Sequence, residues 1–258
     1  YEFFQVNDKL REIIKESSDI NYLRKKAIEH GMKTLLDDGK RLINLGSSCM
    51  YPRDGKNPLA EHQILSGELE PTNEGYAIAK CLSTRLCEYI VKEDKSKLYK
   101  TIIPCNLYGR HDTFSLGFSH MIPAAIQKIH KAKMEGLNNV EIWGDGLTRR
   151  EFMSASDLAD FTFYCVKNFE KMPQNINCGL GYDFTIKEYY MAVAKVIGYQ
   201  GKFSYNLNKP AGMKQKLVDV KLLNKFGWKH KYSLEAGLEI AYDFYLSDER
   251  KLKRKKRK

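Results

Sequence analysis

Residues 41–49, Arg-Leu-Ile-Asn-Leu-Gly-Ser-Ser-Cys, form a short apolar run that ends in a glycine and two serines. The apolar part, 41–45, predicts a buried strand, and the glycine and serines predict a loop at its carboxyl end. In α/β sheets such loops deliver side chains to a cleft. About 30 residues downstream follows Tyr76-Ala-Ile-Ala-Lys80, at the start of a predicted helix. Together the two stretches indicate an α/β fold.

Tyr76 and Lys80 are separated by one helical turn, so their side chains share one face of the predicted helix. An ammonium beside a phenol favours the phenolate, which suits proton transfer near neutral pH. The lysine can at the same time hold a cofactor ribose. This pair alone recurs by chance on helix surfaces. With the upstream Ser47 loop it resembles the Ser/Tyr/Lys set of short-chain dehydrogenases/reductases.

Strands alternate with helices along the chain, which predicts a parallel sheet flanked by helices. The elements become shorter after about residue 140, as suits a smaller lobe that covers a substrate. The expected architecture is a Rossmann-like parallel sheet with a smaller C-terminal substrate-binding lobe. Predicted strands are 41–45, 98–104, 139–143 and one each near Ile176 and Phe203. Predicted helices are 76–92, 120–134, 156–168, 185–197, 220–226 and 233–247.

The chain divides into four expected segments. These are an atypical helical segment 1–40, the remainder of a Rossmann-like catalytic domain 41–140, a mainly substrate-binding lobe 141–248, and a basic disordered tail 249–258. Eight of the net eleven positive charges lie in the tail sequence RKLKRKKRK, which leaves three for the rest of the chain. Since such a run repels itself, we expect a solvated tail and no specific nucleic-acid partner.

The first segment lacks a glycine-rich dinucleotide loop, because only Gly31 and Gly39 precede Gly46. The N-terminal dinucleotide-binding βαβ unit is therefore expected to be missing or replaced, and the chain alone to bind a dinucleotide poorly. Residues 1–39 faintly resemble the C-terminal part of type II secretion or pilus-assembly ATPases. Alternatively, residues 22–37 are the helix that precedes the Ser47 strand.

Composition narrows the remaining classes of protein. The six cysteines are scattered without zinc-ligand spacing, so we expect reduced, mostly structural thiols and no metal. No apolar run has the length of a membrane span, and the first residues do not resemble a signal peptide. The expected location is the cytoplasm, without a membrane partner.

Several stretches resemble the GDP-L-fucose synthase family, which are extended short-chain dehydrogenases/reductases. The resemblance runs in order over about residues 41–248. It rests on GSSCMYP (46–52), LEPTNEGYAIAK (69–80), PCNLYGRHD (104–112), FSHMIP (118–123), WGDGLTRREF (143–152) and KLVDVKLL (216–223).

The resemblance implies an NADP(H)-dependent epimerase/reductase that acts on a nucleotide-linked 4-keto-6-deoxy sugar. Cys49 and His120 would exchange protons at C3 and C5, which the neighbouring C4 ketone makes acidic. NADPH would then reduce C4, with Tyr76 as the proton donor. Ser47 would hydrogen-bond the same oxygen, and Lys80 would polarise Tyr76 and bind the nicotinamide ribose.

The resemblance also implies the binding residues and an assembly. The substrate, GDP-linked by resemblance, would be held by Lys128, Trp143 and Arg150, since a guanidinium suits a diphosphate and an indole covers a ring face. A homodimer would form through the helix that carries Tyr76 and its neighbour. Residues expected to contact NADPH are Leu45, Gly46, Ser47, Ser48, Lys80, Pro104, Cys105, Asn106, Leu107 and His120.

Structural alternatives remain open for individual residues. Cys49 could be a small core side chain, and His120 could cap or pack against the helix that follows it. Trp143 could likewise belong to the core, Lys128 could be solvated, and Asn106 could simply form a turn. Arg150 could form a structural ion pair with Glu151.

Two alternative functions also remain open. Ala211 stands where the family pattern has an acidic residue that touches the nucleotide sugar, so a C4-reductase of another GDP-6-deoxy sugar, such as a heptose, competes without epimerisation. A truncated or fused inactive binding module is the non-enzyme alternative, supported by the absent glycine loop. A 4-epimerase or dehydratase is disfavoured, because it needs no Cys49 and His120.

Overall fold

The computed structural model describes residues 40–114, 119–208 and 213–255, with backbone only for 249–255. The predicted segment 1–40, except Lys40, and Ala211 lie outside the described residues. The strands are β1 Arg41–Leu45, β2 Leu98–Pro104, β3 Asn106–Tyr108, β4 Asn139–Trp143, β5 Arg149–Arg150, β6 Phe152–Ser154, β7 Asn175–Cys178, β8 Phe184–Thr185, β9 Lys202–Asn206 and β10 Gln215–Lys216. The helices are α1 Glu74–Glu93, α2 Met121–Met134, α3 Ala155–Lys167, α4 Ile186–Ile197, α5 Lys221–Phe226 and α6 Leu234–Lys255.

A parallel sheet in the order β1-β2-β7 forms the centre of the structure. Its register places Leu45 beside Ile102 and Ile102 beside Ile176. β2 is buried from Tyr99 to Pro104, as a middle strand covered on both faces should be. The α/β fold with a parallel sheet is therefore confirmed. Because the strands are parallel, their carboxyl ends meet at one edge of the sheet.

Helix α1 covers this sheet with one face and leaves the other face exposed. The residues that face the sheet recur at three- and four-residue spacing, which makes a single apolar stripe. The buried stripe consists of Ala77, Cys81, Thr84 and Cys87. The exposed face carries large apolar side chains, namely Ile78, Leu82, Leu86 and Tyr89. The fold itself thus leaves a row of large apolar side chains of α1 exposed.

Helices α2, α4 and α6 pack around a second hydrophobic cluster, which also contains Val140 and Ile142 of β4. Helix α4 begins with a capping box, in which Thr185 and Glu188 satisfy each other's backbone N–H groups. β4 pairs in parallel with β9, and Trp143 at its end lies beside Asn206. This second layer sets the position of the residues that follow β4.

The two hydrophobic clusters interleave along the sequence. The cluster under the central sheet includes Phe161 and Trp228, which lie beyond residue 141. The second cluster includes Ile122 and Ile126 of α2, which lie before it. The expected division at residue 140 therefore separates regions of different strand pairing but cuts across both cores.

A buried asparagine joins the sheet to the long loop that follows β1. The Asn177 amide, fully buried, donates to the carbonyls of Leu59 and Asp219, and it accepts the hydroxyl of Tyr51. Leu59 in turn donates to Leu217 and accepts from Asp219, so hydrogen bonds join the loop to the segment around residue 218. These hydrogen bonds hold two distant parts of the chain over the carboxyl edge of the sheet.

The structure contains features that the sequence did not predict. The short strands β3, β5, β6, β8 and β10 lie in stretches that look like loops in the sequence, because two or three residues show no periodicity. Helix α6 continues to Lys255, past the expected boundary of the disordered tail at residue 249. Lysine and arginine are good helix formers and complement the negative end of the helix dipole.

We expect Asn177→Ala to destabilise the protein by about 2–4 kcal/mol, because it removes three hydrogen bonds and leaves the buried Tyr51 hydroxyl without its acceptor. Urea unfolding measures the effect. Asn138→Ala, at an exposed position, is the control and should change the free energy of unfolding by less than about 0.5 kcal/mol. Equal effects of the two substitutions would contradict the assigned role of Asn177.

Candidate active site

Lys80 joins the start of α1 to the end of β1. Its ammonium donates to the carbonyl of Leu45 at 2.7 Å and lies 5.7 Å from the centre of the Tyr76 ring. The ring of Tyr76 is half exposed, so it is open to a ligand. The structure thus brings Tyr76, Lys80 and the end of β1 together at the carboxyl edge of the sheet, as the sequence predicted.

Ser47 caps the short helical turn Ser48–Met50 that follows β1. Its hydroxyl oxygen accepts the backbone N–H of Cys49 at 3.1 Å. Since the oxygen acts as the acceptor in this bond, the hydroxyl hydrogen remains available to donate to a ligand oxygen. The same bond fixes the backbone of Cys49, four residues beyond the end of β1.

Two nitrogen donors surround the thiol of Cys49. The Asn73 amide and the Lys216 ammonium each lie 3.2 Å from its sulfur. Lys216 is buried, with 8% of its surface exposed, and this sulfur is its only hydrogen-bonding partner among the described residues. The ammonium therefore stands directly against the sulfur, where it would stabilise a negative charge that develops on that sulfur during a reaction.

The other five cysteines differ from Cys49. All of them are buried, whereas Cys49 is partly exposed. Burial raises the pKa of the Cys87 thiol to about 11 and that of Cys165 to about 12, and it raises the pKa of Cys81, Cys105 and Cys178 as well. Such thiols are inert packing groups. Cys49 is therefore the only candidate nucleophile or base among the six.

Lys216 and Asn73 were not expected at the site from the sequence. They lie 167 and 24 residues from Cys49 in the chain, so no local spacing connects the three. The only indication of their importance in the sequence is that they lie in the stretches 69–80 and 216–223, which resemble the family. Pairing of β10 with β5 sets Lys216 beside Arg150, and this places the ammonium over the thiol.

Glu151 is a buried carboxylate that directly follows Arg150 in the chain. It accepts the backbone N–H groups of Leu180, Gly181 and Val218. Burial raises its pKa to about 7, although these hydrogen bonds favour the ionised form. The Arg150 guanidinium instead donates to the carbonyl of Met213 at 2.6 Å. The ion pair between Arg150 and Glu151, considered from the sequence, does not form.

His120 occupies the position before the first residue of α2 and is exposed. Its side chain does not cap the helix, which answers one alternative from the sequence. The Asp112 carboxyl lies near it; burial raises the pKa of Asp112 and the imidazole opposes this shift. In the part of the chain that the structure describes, His120 makes no hydrogen bond with Cys49. Its predicted role stays a prediction.

The segment that follows β2 contributes Asn106 to the edge of the site. Asn106 lies in β3 and donates to the carbonyl of Glu151 at 2.9 Å, so it links two site segments and does not form a turn. Leu107 is partly buried, whereas the Cys105 side chain lies in the core. Any contact of Cys105 with a ligand would have to use its backbone.

Lys128, Trp143 and Arg150 line one cavity of about 750 Å³. The Lys128 ammonium lies 4.9 Å from the centre of the Trp143 ring, and the indole is 54% exposed, so it is not a core side chain. Burial lowers the pKa of Lys128 and of Arg150, which means that each cation is costly to leave without an anion. The cavity suits an anionic ligand with a flat ring.

A second cavity, of about 870 Å³, opens beside Arg53 and Arg149. Both of these guanidinium groups already bind carboxylates, Arg53 that of Glu68 and Arg149 that of Asp183, each at 2.7 Å. The charges of this second cavity are therefore largely satisfied within the protein. The cavity lined by Lys128, Trp143 and Arg150 is the better candidate for an anionic ligand.

No cluster of three metal-ligating side chains occurs within residues 40–114, 119–208 and 213–255. Over the same ranges, no helix combines the length and the apolar composition that crossing a membrane requires.

Comparison with known proteins identifies similar chains. The pattern of the NAD dependent epimerase/dehydratase family matches residues 19–179. GDP-L-colitose synthase of Yersinia pseudotuberculosis is 57% identical over 209 residues, 81% of this chain and 68% of that protein. GDP-L-fucose synthase of Escherichia coli (strain K12) is 40% identical over 221 residues, 83% and 68% of the two chains. The chain spans about two thirds of the length of the curated relatives it matches.

Among solved structures, a GDP-mannoheptose C4 reductase from Campylobacter jejuni with NADP bound is similar. It has a TM-score of 0.74 and 30% sequence identity, over 87% of this chain and 74% of that one. The family match begins at residue 19, inside the segment 1–40. The predicted helix 22–37 lies outside the described residues.

We expect Cys49 to be the one thiol that iodoacetamide labels in the folded protein, as mass spectrometry of peptides would show. Lys216→Met should slow this labelling about tenfold, because the thiolate loses its counter-charge. Lys214→Met, two residues earlier and exposed, is the control and should leave the rate unchanged. Labelling of Lys216→Met at the wild-type rate would contradict the ion pair.

Proposed function

Because the chain belongs to the NAD dependent epimerase/dehydratase family, in its GDP-L-fucose synthase branch, we propose that it is an NADP(H)-dependent epimerase/reductase of a GDP-linked 4-keto-6-deoxy sugar. The observation that carries the proposal is the contact of the Cys49 thiol with Lys216, in the loop that leaves the end of β1, where Lys80 of the Tyr76 helix binds the Leu45 carbonyl. This edge combines a base for carbon acids with the groups of a carbonyl reductase.

The nicotinamide half of NADP fits the described residues. Lys80, Ser47 and Asn106 lie at the carboxyl ends of β1 and β2, where a dinucleotide binds in sheets of this type. The glycine-rich loop that holds the pyrophosphate in such sheets has no counterpart in the sequence before Gly46. When bound, NADPH supplies hydride to C4 of the sugar.

Proton transfer comes first in the proposed reaction. The Cys49 thiolate removes a proton from a carbon next to the C4 ketone, and the electron pair becomes the enolate that the ketone stabilises. Asn73 and Lys216, each 3.2 Å from the sulfur, would stabilise its negative charge. His120, at the start of α2, returns a proton to the opposite face of that carbon. Epimerisation follows because the proton leaves and arrives on different faces.

Reduction uses the other half of the site. Tyr76 donates its phenolic proton to the C4 oxygen as that oxygen becomes an alkoxide, and the Ser47 hydroxyl hydrogen-bonds the same oxygen. The Lys80 ammonium stabilises the resulting phenolate from one helical turn away. The Leu45 carbonyl holds this ammonium in place at 2.7 Å.

The GDP part is assigned to the 750 Å³ cavity. The Arg150 guanidinium and the Lys128 ammonium would bind the diphosphate, and the exposed Trp143 indole would cover the guanine or ribose. A bound diphosphate would relieve the cost of burying the two cations, and this cost supports the assignment.

The sugar itself is the less specific part of the proposal. Of the relatives described above, the one named for GDP-L-colitose has the higher identity, 57% against 40% for the one named for GDP-L-fucose. Colitose lacks the 3-hydroxyl of fucose, so only C5 requires inversion. A GDP-heptose reductase shares the fold at 30% identity and provides the alternative of C4 reduction without epimerisation.

Incubation of the chain with GDP-4-keto-6-deoxy-mannose in deuterated water, without NADPH, tests the base directly. We expect deuterium at C5, and at C3 if the enzyme follows the fucose pathway, because exchange needs only Cys49 and His120. Cys49→Ser should reduce exchange at least about 100-fold, while Tyr76→Phe should retain exchange and lose NADPH-dependent reduction. Full exchange with Cys49→Ser would show that another group is the base. No exchange in the wild-type chain would favour reduction alone.

We further propose that two chains associate through α1 and α3. Leu82 and Tyr89 on α1, and Phe163 and Val166 on α3, are each more than half exposed. Exposed apolar side chains of this size on both helices are typical of a surface that a second copy covers.

Leu82→Glu should therefore shift the protein from dimer to monomer in analytical ultracentrifugation, because it places a charge in the middle of that surface. Leu147→Glu, at an equally exposed apolar side chain near Trp143, is the control and should leave the dimer intact. A wild-type chain that sediments as a monomer would refute the proposed association.

The six free cysteines suit a reducing compartment, and we propose that the enzyme works in the cytoplasm. We also keep the central sheet as the catalytic domain and the residues after about 140 as the main substrate lobe, since Trp143 and Arg150 line the nucleotide cavity. The residues before β1 and after α6 receive no role in this proposal.

A further inference from the structure

We propose that Glu151 is a positioning residue for the Cys49 thiol: its buried carboxylate fixes the segment that carries the Lys216 ammonium. The inference rests on the proposed role of Cys49 as the base. Glu151 itself touches neither the thiol nor the nucleotide cavity, so it acts only through its neighbours.

The carboxylate of Glu151 bridges two segments of backbone. One oxygen accepts from Leu180 and Gly181, and the other accepts from Val218 at 3.0 Å. The side chain is fully buried, so no water can replace it as acceptor for these N–H groups. Gly179 leaves room for the arrangement, since a Cβ there would lie 2.5 Å from the carboxylate oxygen.

Val218 lies two residues beyond Lys216, and its N–H has no other acceptor in the described structure. On the other side of the same segment, Leu59 binds Leu217 and Asp219. The segment is therefore held between the loop after β1 and Glu151. Loss of the contact to Val218 would allow the segment to move and would change the 3.2 Å contact between Lys216 and Cys49.

Glu151 also follows Arg150 directly, and Arg150 pairs with Lys216 across β5 and β10. One buried anchor therefore sets a cation on the thiol and a cation in the nucleotide cavity. Because Glu151 is shared, its replacement should weaken both contacts together. A residue with a purely local role would affect at most one of them.

The substitution Glu151→Gln distinguishes the hydrogen bond to Val218 from those to Leu180 and Gly181. Its amide oxygen can keep the two N–H groups of Leu180 and Gly181, while its NH₂ group faces the N–H of Val218 and repels it. The substitution thus removes the hydrogen bond to Val218, which lies two residues from Lys216, and retains the hydrogen bonds to Leu180 and Gly181. The chain also offers a matched control, Asp157, which is equally buried and accepts the backbone N–H groups of Lys231 and Tyr232.

The test measures the rate at which iodoacetamide alkylates Cys49 in the full chain, in the absence of substrate and cofactor. Glu151→Gln should slow alkylation about tenfold, as Lys216→Met does, and the double variant should be no slower than either single one. Asp157→Asn should leave the rate within about twofold of wild type. Glu151→Gln should also weaken binding of GDP, measured by titration calorimetry, because Arg150 shifts with its neighbour.

An unchanged rate in Glu151→Gln would overturn the inference. So would an equal slowing in Asp157→Asn, or a double variant in which the two slowings multiply. If Glu151→Gln does not fold, Glu151→Asp keeps the charge but is too short to reach Val218, and it should give the same slowing. Alkylation requires no catalysis, so these outcomes stay distinct from a failure of Cys49 to exchange protons on the sugar.

Discussion

The parallel pairing of β1, β2 and β7 is the constraint on which the rest of the site depends. It forces the three strands to end at one edge, and the loop with Ser47 and Cys49 leaves the sheet there. Helix α1 returns over the same edge, so that Lys80 meets the carbonyl of Leu45. The phenol of Tyr76, the hydroxyl of Ser47 and the thiol of Cys49 therefore all belong to segments that meet the carboxyl end of β1.

A buried charge gives this edge its chemistry. The Lys216 ammonium is buried, and among the described residues its hydrogen-bonding partner is the Cys49 sulfur. A negative charge that forms on this sulfur is therefore stabilised by the ammonium beside it. The same principle operates in the nucleotide cavity, where the partly buried cations Lys128 and Arg150 favour an anionic ligand. Both sites are stable as charged sites only because distant segments hold the cations in place.

The sequence predicted the main strands and helices because their apolar periodicity is long enough to recognise. It also predicted the approach of Tyr76 and Lys80, which depends only on helical spacing. Lys216 and Asn73 could not be found in this way, because their distance from Cys49 along the chain follows from strand pairing and loop packing. Glu151 was interpreted as a possible partner for Arg150, yet it binds backbone groups that no sequence pattern marks.

The most direct test of the account is a crystal structure of the Tyr76→Phe variant with a GDP-linked 4-keto-6-deoxy sugar bound. We predict the nucleotide against Arg150 and Trp143, with a carbon next to the ketone within about 3.5 Å of the Cys49 sulfur, the distance of a reactive geometry. A sugar bound elsewhere, with its ring carbons remote from this sulfur and its ketone turned away from residue 76, would contradict the account.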